Sequence, residues 1–449
     1  MKIQSKRLLV ALSAAALLVS GGAVVSTSAS AASAPSCAAF KGYAKIPGKT
    51  VEVFTSIIQP ELQHYIDAAN VFTACTGIKI YFNGTNSFES LLPVRVKGGT
   101  APDLALIPQP GLIQAMVATG KAVPVPAQTA ANVKKYFSPG WQGYATVNGK
   151  LYGSPNSANM KSLVWYSPKQ FAADGFKVPT TWTEMMDQSK AMAAAGYTPW
   201  CAGIGSGTAT GWSATDWLEE VVLRQSGSTV YNNWISHKVK FSDAPIQSAM
   251  TTVANWLQNP AMVGNVPAIA TTTFQAAGQS IPTAGKGSGC MQLQQASFYG
   301  TQFPSSVTVS PTGDVWAYYL PTINPAVKTP VEGGGEFYVA FNKNPATQEA
   351  QNFFSSPLWP EALIPAYGAA GGWTTANSGV PLSTYTAPLD KLAAKYLGDP
   401  KGTFVFDASD AMPASIGAGK EWTDFTNWFA QGLSVKQVAA DIDASWPKK

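Results

Sequence analysis

VEVFTSIIQPELQHYIDAANVFTACTGIKIYF, residues 51–82, decides the fold class. Val51 to Phe54 is a short apolar run with strand character. Pro60 suits the first turn of a helix, where its missing N–H costs nothing. Leu62, Tyr65, Ile66, Ala69 and Phe72 then recur on one helical face, and Gly77 is a stop signal. Ile78 to Phe82 reads as the next strand. A crossover of this kind joins parallel strands, so the chain opens as an α/β protein. Asp103 to Ile107 predicts a third strand, and Gly111 to Thr119 a second helix closed by Gly120. The second half is more helical. Thr181 and Glu184, like Ser434 and Gln437, have capping-box spacing. Ile246, Met250, Val253 and Leu257 mark another apolar face. Val315 to Leu320 and Phe337 to Phe341 read as strands. No internal repeat and no long linker breaks the pattern, so two lobes, if present, are interleaved rather than strung in series.

The chain has 449 residues, enough for two lobes. Hydrophobic residues make up 46%, which excludes wholesale disorder. Charged residues are only 12% while aromatics reach 11%, a stock that suits neutral polar ligands better than ionic ones. The net charge of +5 includes Lys2, Lys6 and Arg7, and the chain without them stands near 5 − 3 = +2. With no basic run, nucleic acid is not an expected partner. Those three cations precede an apolar stretch, Leu8 to Val19, too short to span a bilayer. Ala29-Ser30-Ala31 and Ala32-Ser33-Ala34 both offer cleavage sites. The first is preferred because Pro35 follows the second, so residues 1–31 are expected to be a signal peptide. Export fits the four cysteines. Three pairings are possible. Cys37–Cys75 with Cys201–Cys290 is favoured because each bond then stays in one half of the chain. A lipid anchor on Cys37 is the rival reading, weakened by the absence of Leu in Ala34-Pro35-Ser36.

Signals for catalysis are sparse. His64 falls in the first helix and His237 in a polar turn, neither with a partner at metal-ligand spacing. There is no G-x-S-x-G elbow, and the glycine-rich run Gly203 to Gly207 lacks the lysine of a phosphate loop. Asp407 and Asp410 have the spacing of a helix cap more than of a catalytic pair. Asn83-Gly84-Thr85 matches a glycosylation sequon. No catalytic residue, metal or cofactor is expected.

Seven stretches, in order, resemble the bacterial ABC-transporter solute-binding proteins of the carbohydrate class, closest to the α-glucoside branch. They are GTNSFESLLPVRVKGGTAPDLALIPQPG (84–111), KSLVWYSPKQFAADGFKVPTTWTE (161–184), TPWCAGIGSGTATGWSATDWLEEVVLR (198–224), QASFYGTQFP (295–304), EGGGEFYVAF (332–341), GAAGGWTTAN (368–377) and FDASDAMPASIGAGKEW (406–422). The chain departs from its relatives at three places. Ser56-Ile57-Ile58 stands where a Trp is common, Gln294 and Gln295 where His is common, and Glu336 where Asp is common. Each bears on which sugar is held.

The resemblance implies a two-lobed, periplasmic-binding-protein-like fold of type II, with two or three crossing segments and a ligand cleft between the lobes. Lobe one is expected at 48–162 plus 310–372, and lobe two at 163–309 plus 373–449. KSLVWYS becomes the first crossing, entering lobe two near Tyr166. The ligand candidates are loop residues at strand ends, where α/β proteins place their sites. They are Thr55, Ser56, Phe88, Glu89, Asp103 and Gln109 in the first part, then Tyr166, Trp212, Asp216, Gly335, Glu336 and Trp373. Trp373 is the leading stacking candidate, whereas Trp217, Phe425, Trp428 and Phe429 read as core. The implied partners are a small neutral sugar and the membrane permease of an importer, with the chain exported, monomeric and non-enzymatic. A secreted glycoside hydrolase is the alternative class.

Overall fold

The computed structural model describes residues 35–369, 371–397 and 403–448. The expected signal segment, 1–31, lies outside them. The first lobe is built on a five-stranded sheet, ordered in space Lys79–Gly84, Thr50–Thr55, Leu104–Ile107, Phe337–Ala340, Gly153–Pro155. The first three strands are parallel, and Phe337–Ala340 runs antiparallel to both its neighbours. Thr55 pairs with Gly84, and Phe337 pairs with Ile107 and Pro155. The loops that leave the parallel strands and the loop that enters Phe337 therefore share one edge of the sheet.

The helix Glu61–Thr76 buries Leu62, Tyr65, Ala69 and Phe72 on this sheet and stops at left-handed Gly77, as its periodicity predicts. Pro60 falls one position earlier than expected, at the N-cap. Asn83 of the sequon gives its amide to Glu52 at 2.8 Å, beside the Arg95–Glu52 ion pair.

The second lobe holds a three-stranded antiparallel sheet, Trp316–Tyr319, Leu163–Tyr166 and Gln292–Gln294. Helices cover it, among them Trp182–Ala194, Trp212–Ile235, Ala244–Leu257 and Trp422–Gln431. The Thr181–Glu184 box forms both of its reciprocal bonds. At Ser434 only the hydroxyl half is made, accepting from the Gln437 N–H. Trp217, Phe425, Trp428 and Phe429 are core, as read from their spacing.

A third sheet joins the lobes. Asn159–Met160, Pro330–Gly334 and Thr403–Phe406 lie side by side and carry the chain across three times among the described residues. Along Thr403–Phe406, Val405 enters the second lobe's core and Phe406 the first's, the alternation of a strand serving two sides.

The lobe boundaries differ from expectation at two places. Trp316–Tyr319 pairs with Leu163–Tyr166, so that run belongs to the second sheet although it follows residue 310. Trp373, Val380 and Tyr385 pack in the core of Phe72 and Trp359, so the first lobe continues past residue 372. In both cases an apolar run joins whichever sheet completes its burial, which position in the chain does not reveal.

The disulfides are Cys37–Cys75 and Cys201–Cys290, the favoured pairing. The sulfur of Cys37 is thereby committed, and a lipid anchor would need it free. Among the described residues no helix is long and apolar enough to cross a membrane.

Candidate ligand-binding cleft

A cleft of about 390 Å³ opens between the lobes. Its first wall is the shared strand edge of the first sheet. Ser56 to Gln59 and Glu61 come from the loop and helix after the first strand, Asn86 and Glu89 follow the second, and Gln109 follows the third. Gly334, Gly335 and Glu336 enter from the antiparallel strand. The second wall is supplied by Ser206 to Gly207, Trp212, Phe274, Phe298 and Trp422. The floor is made by the crossing segments through Asn159, Lys161, Asp407 and Asp410.

The two walls differ in chemistry. On the second, Trp212 sits 5.1 Å from Phe274 and 6.2 Å from Phe298 between ring centroids, a small aromatic cluster. On the first, three carboxyl groups are each held through one oxygen. Tyr367 donates to Oε1 of Glu61 at 2.8 Å, and Gln109 to Oε1 of Glu89 at 3.1 Å. Ser157 and Asn156 donate to Oε2 of Glu336. The other oxygen of each has no side-chain donor among the described residues. Burial pushes Glu61 up to about 8, with nearby Glu336 adding to the effect and the Tyr367 hydroxyl opposing it. Burial also raises Glu89 and Glu336, against their hydrogen bonds. Oε1 of Gln109, Oδ1 of Asn159 and Nε1 of Trp422 are buried without a partner among the described residues, as polar atoms reserved for a ligand would be.

Lys161 is the only cationic side chain lining the cleft among the described residues. Its ammonium bonds Asp216 at 2.7 Å and also Asp407. Oxygens of Asp216, Glu332 and Asp407 lie within 4.8 Å of one another, a spacing that suits a cation, and the ammonium of Lys161 fills that role. Burial drives Asp216 up to about 8 against the pull of Lys161. Burial pushes Asp407 up as well, but Lys161, the Asp410 N–H and the Ser409 hydroxyl outweigh it and hold Asp407 below the usual carboxylate range.

Two glycines are dictated by close approach. A Cβ on Gly335 would collide with the carbonyl oxygen of Ser157. Gly207 has φ +58°, and a Cβ there would lie 2.6 Å from the carbonyl oxygen of Asn86 across the cleft. That oxygen accepts from the Thr208 N–H at 3.3 Å, a direct contact between the lobes at the mouth.

Of the residues expected from the sequence, Ser56, Glu89, Gln109, Trp212, Gly335 and Glu336 line the cleft. The other six do not. Thr55 is buried, its hydroxyl accepting from the Ile57 N–H. Phe88 packs inside against Phe54. Asp103 lies at the far end of its strand and accepts from the Glu52 N–H and the Asn342 amide. Tyr166 is core, packed on Phe171 and Tyr318. Asp216 stands behind Lys161. Trp373 is 1% exposed and donates to the Tyr65 hydroxyl at 3.1 Å. In KSLVWYS, Trp165 is core too, with its indole N–H on the Gln295 carbonyl, and the second sheet begins at Leu163 rather than near Tyr166. The residue of that run that meets the cleft is its lysine. Among the departures, Ser56, Ile57, Ile58 and Glu336 do face the cleft, whereas Gln294 donates to the Lys161 carbonyl behind it.

Sequence reasoning missed Lys161, Asp407, Asp410, Phe274 and Phe298. A lysine inside a strand-like apolar run was a usable signal, because a charge there needs a partner. For Phe274 and Phe298 no local signal exists. Neither histidine is in the cleft. His237 pairs with Asp443 and stacks on Trp446, and His64 lies against Tyr367.

Two interleaved lobes, three crossing strands and an interlobe cleft define a binding protein of the type II periplasmic architecture. The chain belongs to the bacterial extracellular solute-binding protein family, whose model matches residues 55–358. It is 32% identical over 404 residues to the osmoprotective compounds-binding protein GgtB of Synechocystis, covering 89% of this chain and 93% of that one. It is 30% identical over 417 residues to the alpha-glucosides-binding periplasmic protein AglE of Rhizobium meliloti, covering 91% and 89%. Among solved structures, the bacterial solute receptor AcbH, described as preferring β-D-galactopyranose, superposes with a TM-score of 0.75 at 15% identity, over 88% of this chain and 98% of that one. RafE in complex with raffinose gives 0.68 at 18% identity, over 88% and 98%. These two likenesses concern the fold.

Proposed function

We propose that the chain is the extracytoplasmic receptor of an ABC importer. It takes an uncharged sugar, an α-glucoside or small oligosaccharide, into the interlobe cleft and delivers it unaltered to the membrane permease. The observation that carries this reading is the contrast between the walls. Sugar rings present weakly apolar C–H faces, which the Trp212, Phe274 and Phe298 cluster can cover. Their hydroxyl edges are donors, which the oxygens of Glu61, Glu89 and Glu336 can accept. The lone lysine is already neutralised, so nothing in the cleft would hold a phosphate or a carboxylate. A site built around hydroxyls also rejects a ligand that lacks one, because its own groups are left unpaired. The relatives named for osmoprotective compounds and alpha-glucosides support the same ligand class.

Isothermal titration calorimetry against trehalose, maltose, malto-oligosaccharides and glucose 6-phosphate tests this. Saturable binding of one or more neutral sugars, none of the phosphate, and recovery of the sugar intact are expected. Hydrolysis of a bound sugar would move the chain to the glycoside hydrolases.

A further inference from the structure

The buried lysine at the head of the first crossing has a larger part than lining the floor. It is 6% exposed. Its ammonium reaches Asp216 on the long second-lobe helix and Asp407 at the end of the third crossing strand. The same ammonium lies 5.5 Å from the ring centroid of Trp212, at the start of that helix. One cation thus ties together three segments, its own and two that lie 55 and 246 residues away. Two of them carry cleft groups, the Asp407 carboxylate and the Trp212 ring.

We infer that Lys161 is a positioning residue for the ligand. By fixing the Asp407 carboxylate and the Trp212 face in one geometry, it couples the first and third crossings to the second lobe and sets the cleft's floor. The inference rests on the cleft being the sugar site.

The surroundings of Asp407 show why one ammonium carries so much. Asp216 and Glu219 face it from the long helix, together with the Tyr231 hydroxyl. Asp410 faces it from its own short helix, Glu421 from the turn before Trp422, and Glu332 from the second crossing. Lys161 is the cation bonded to Asp407. Without it, Asp407 would be a buried carboxylate among carboxyl groups, and it would regain a tolerable state only by taking up a proton.

The test compares sugar affinity of the wild type and Lys161→Met by calorimetry at two pH values, using the tightest neutral sugar of the panel. The deficit of the variant should be roughly tenfold near pH 7 and shrink to about threefold near pH 5, because lowering the pH favours the uncharged form of Asp407. Taking the ratio to wild type removes the titration of Glu61 and Glu89, on which Lys161 does not act, whereas the effect of Lys161 on Glu336 is common to both backgrounds of a second arm and cancels there. That arm repeats Lys161→Met on an Asp407→Asn background, which keeps the buried charge balanced if the single variant folds poorly. There the lysine substitution should cost less than about threefold, because the partner it positions is gone. A deficit that is equal at both pH values, or equal in both backgrounds, overturns the inference while leaving the receptor reading in place. A wild type that binds no sugar of the panel overturns both.

Discussion

Burial separates the proposed roles of two tryptophans in this chain. Trp212 opens on the cleft, whereas Trp373 is enclosed by the first core and gives its N–H to Tyr65. Trp212→Ala is expected to weaken sugar binding by about 1–3 kcal/mol, the scale of losing an aromatic stacking platform, with little change in melting temperature. Trp373→Ala should do the opposite. It leaves a cavity in a packed interior and removes one of the two N–H donors to the Tyr65 hydroxyl, so it should cost about 3–5 kcal/mol of stability. Calorimetric affinity and denaturant midpoints, measured on both variants, distinguish the outcomes.

At the scale of the element, the first helix brings a carboxyl group to the cleft at a cost that depends on pH. Glu61 begins that helix and is pushed up to about 8 by burial. The folded state therefore keeps a proton that the unfolded state loses near its ordinary value. Between those two values the folded state binds more protons, so stability falls as pH rises across the window. Asp390, raised to about 7 by burial, acts in the same direction. The melting temperature should be higher at about pH 5 than at about pH 8. Glu61→Gln, which removes one titrating group, should flatten that slope. An unchanged slope would show that Glu61 does not titrate abnormally. The same helix start illustrates how elements arrange the site. Parallel strands release their loops at one edge, so one wall is filled by Ser56, Glu61, Glu89 and Gln109 from three successive units.

At the scale of the whole molecule, two lobes meet across the cleft and are tied, among the described residues, by three strands. Asn86 and Thr208 touch across the opening, and left-handed Gly207 lets them approach. A hinge motion about the crossing sheet is the proposed means of trapping a sugar. Small-angle scattering should show a smaller radius of gyration with a saturating neutral sugar than without it. Equal radii at saturation would refute closure.

Much of this protein is local information. The strand–helix–strand pattern of residues 51–82 determines the parallel sheet, and with it the wall that holds Ser56, Glu89 and Gln109. The resemblance to relatives added the glycine loop before Glu336. Even cysteine spacing was enough to rank the pairing found. Only the tertiary structure decided the other half of the site. Whether Trp373 or Phe298 lines the cleft, and whether Lys161 is a surface charge or a buried partner of Asp216 and Asp407, depends on segments far apart in the chain meeting in space. Periodicity reports which side of an element is apolar. It does not report what that side will be packed against, and in this cleft the packing partner determines the role.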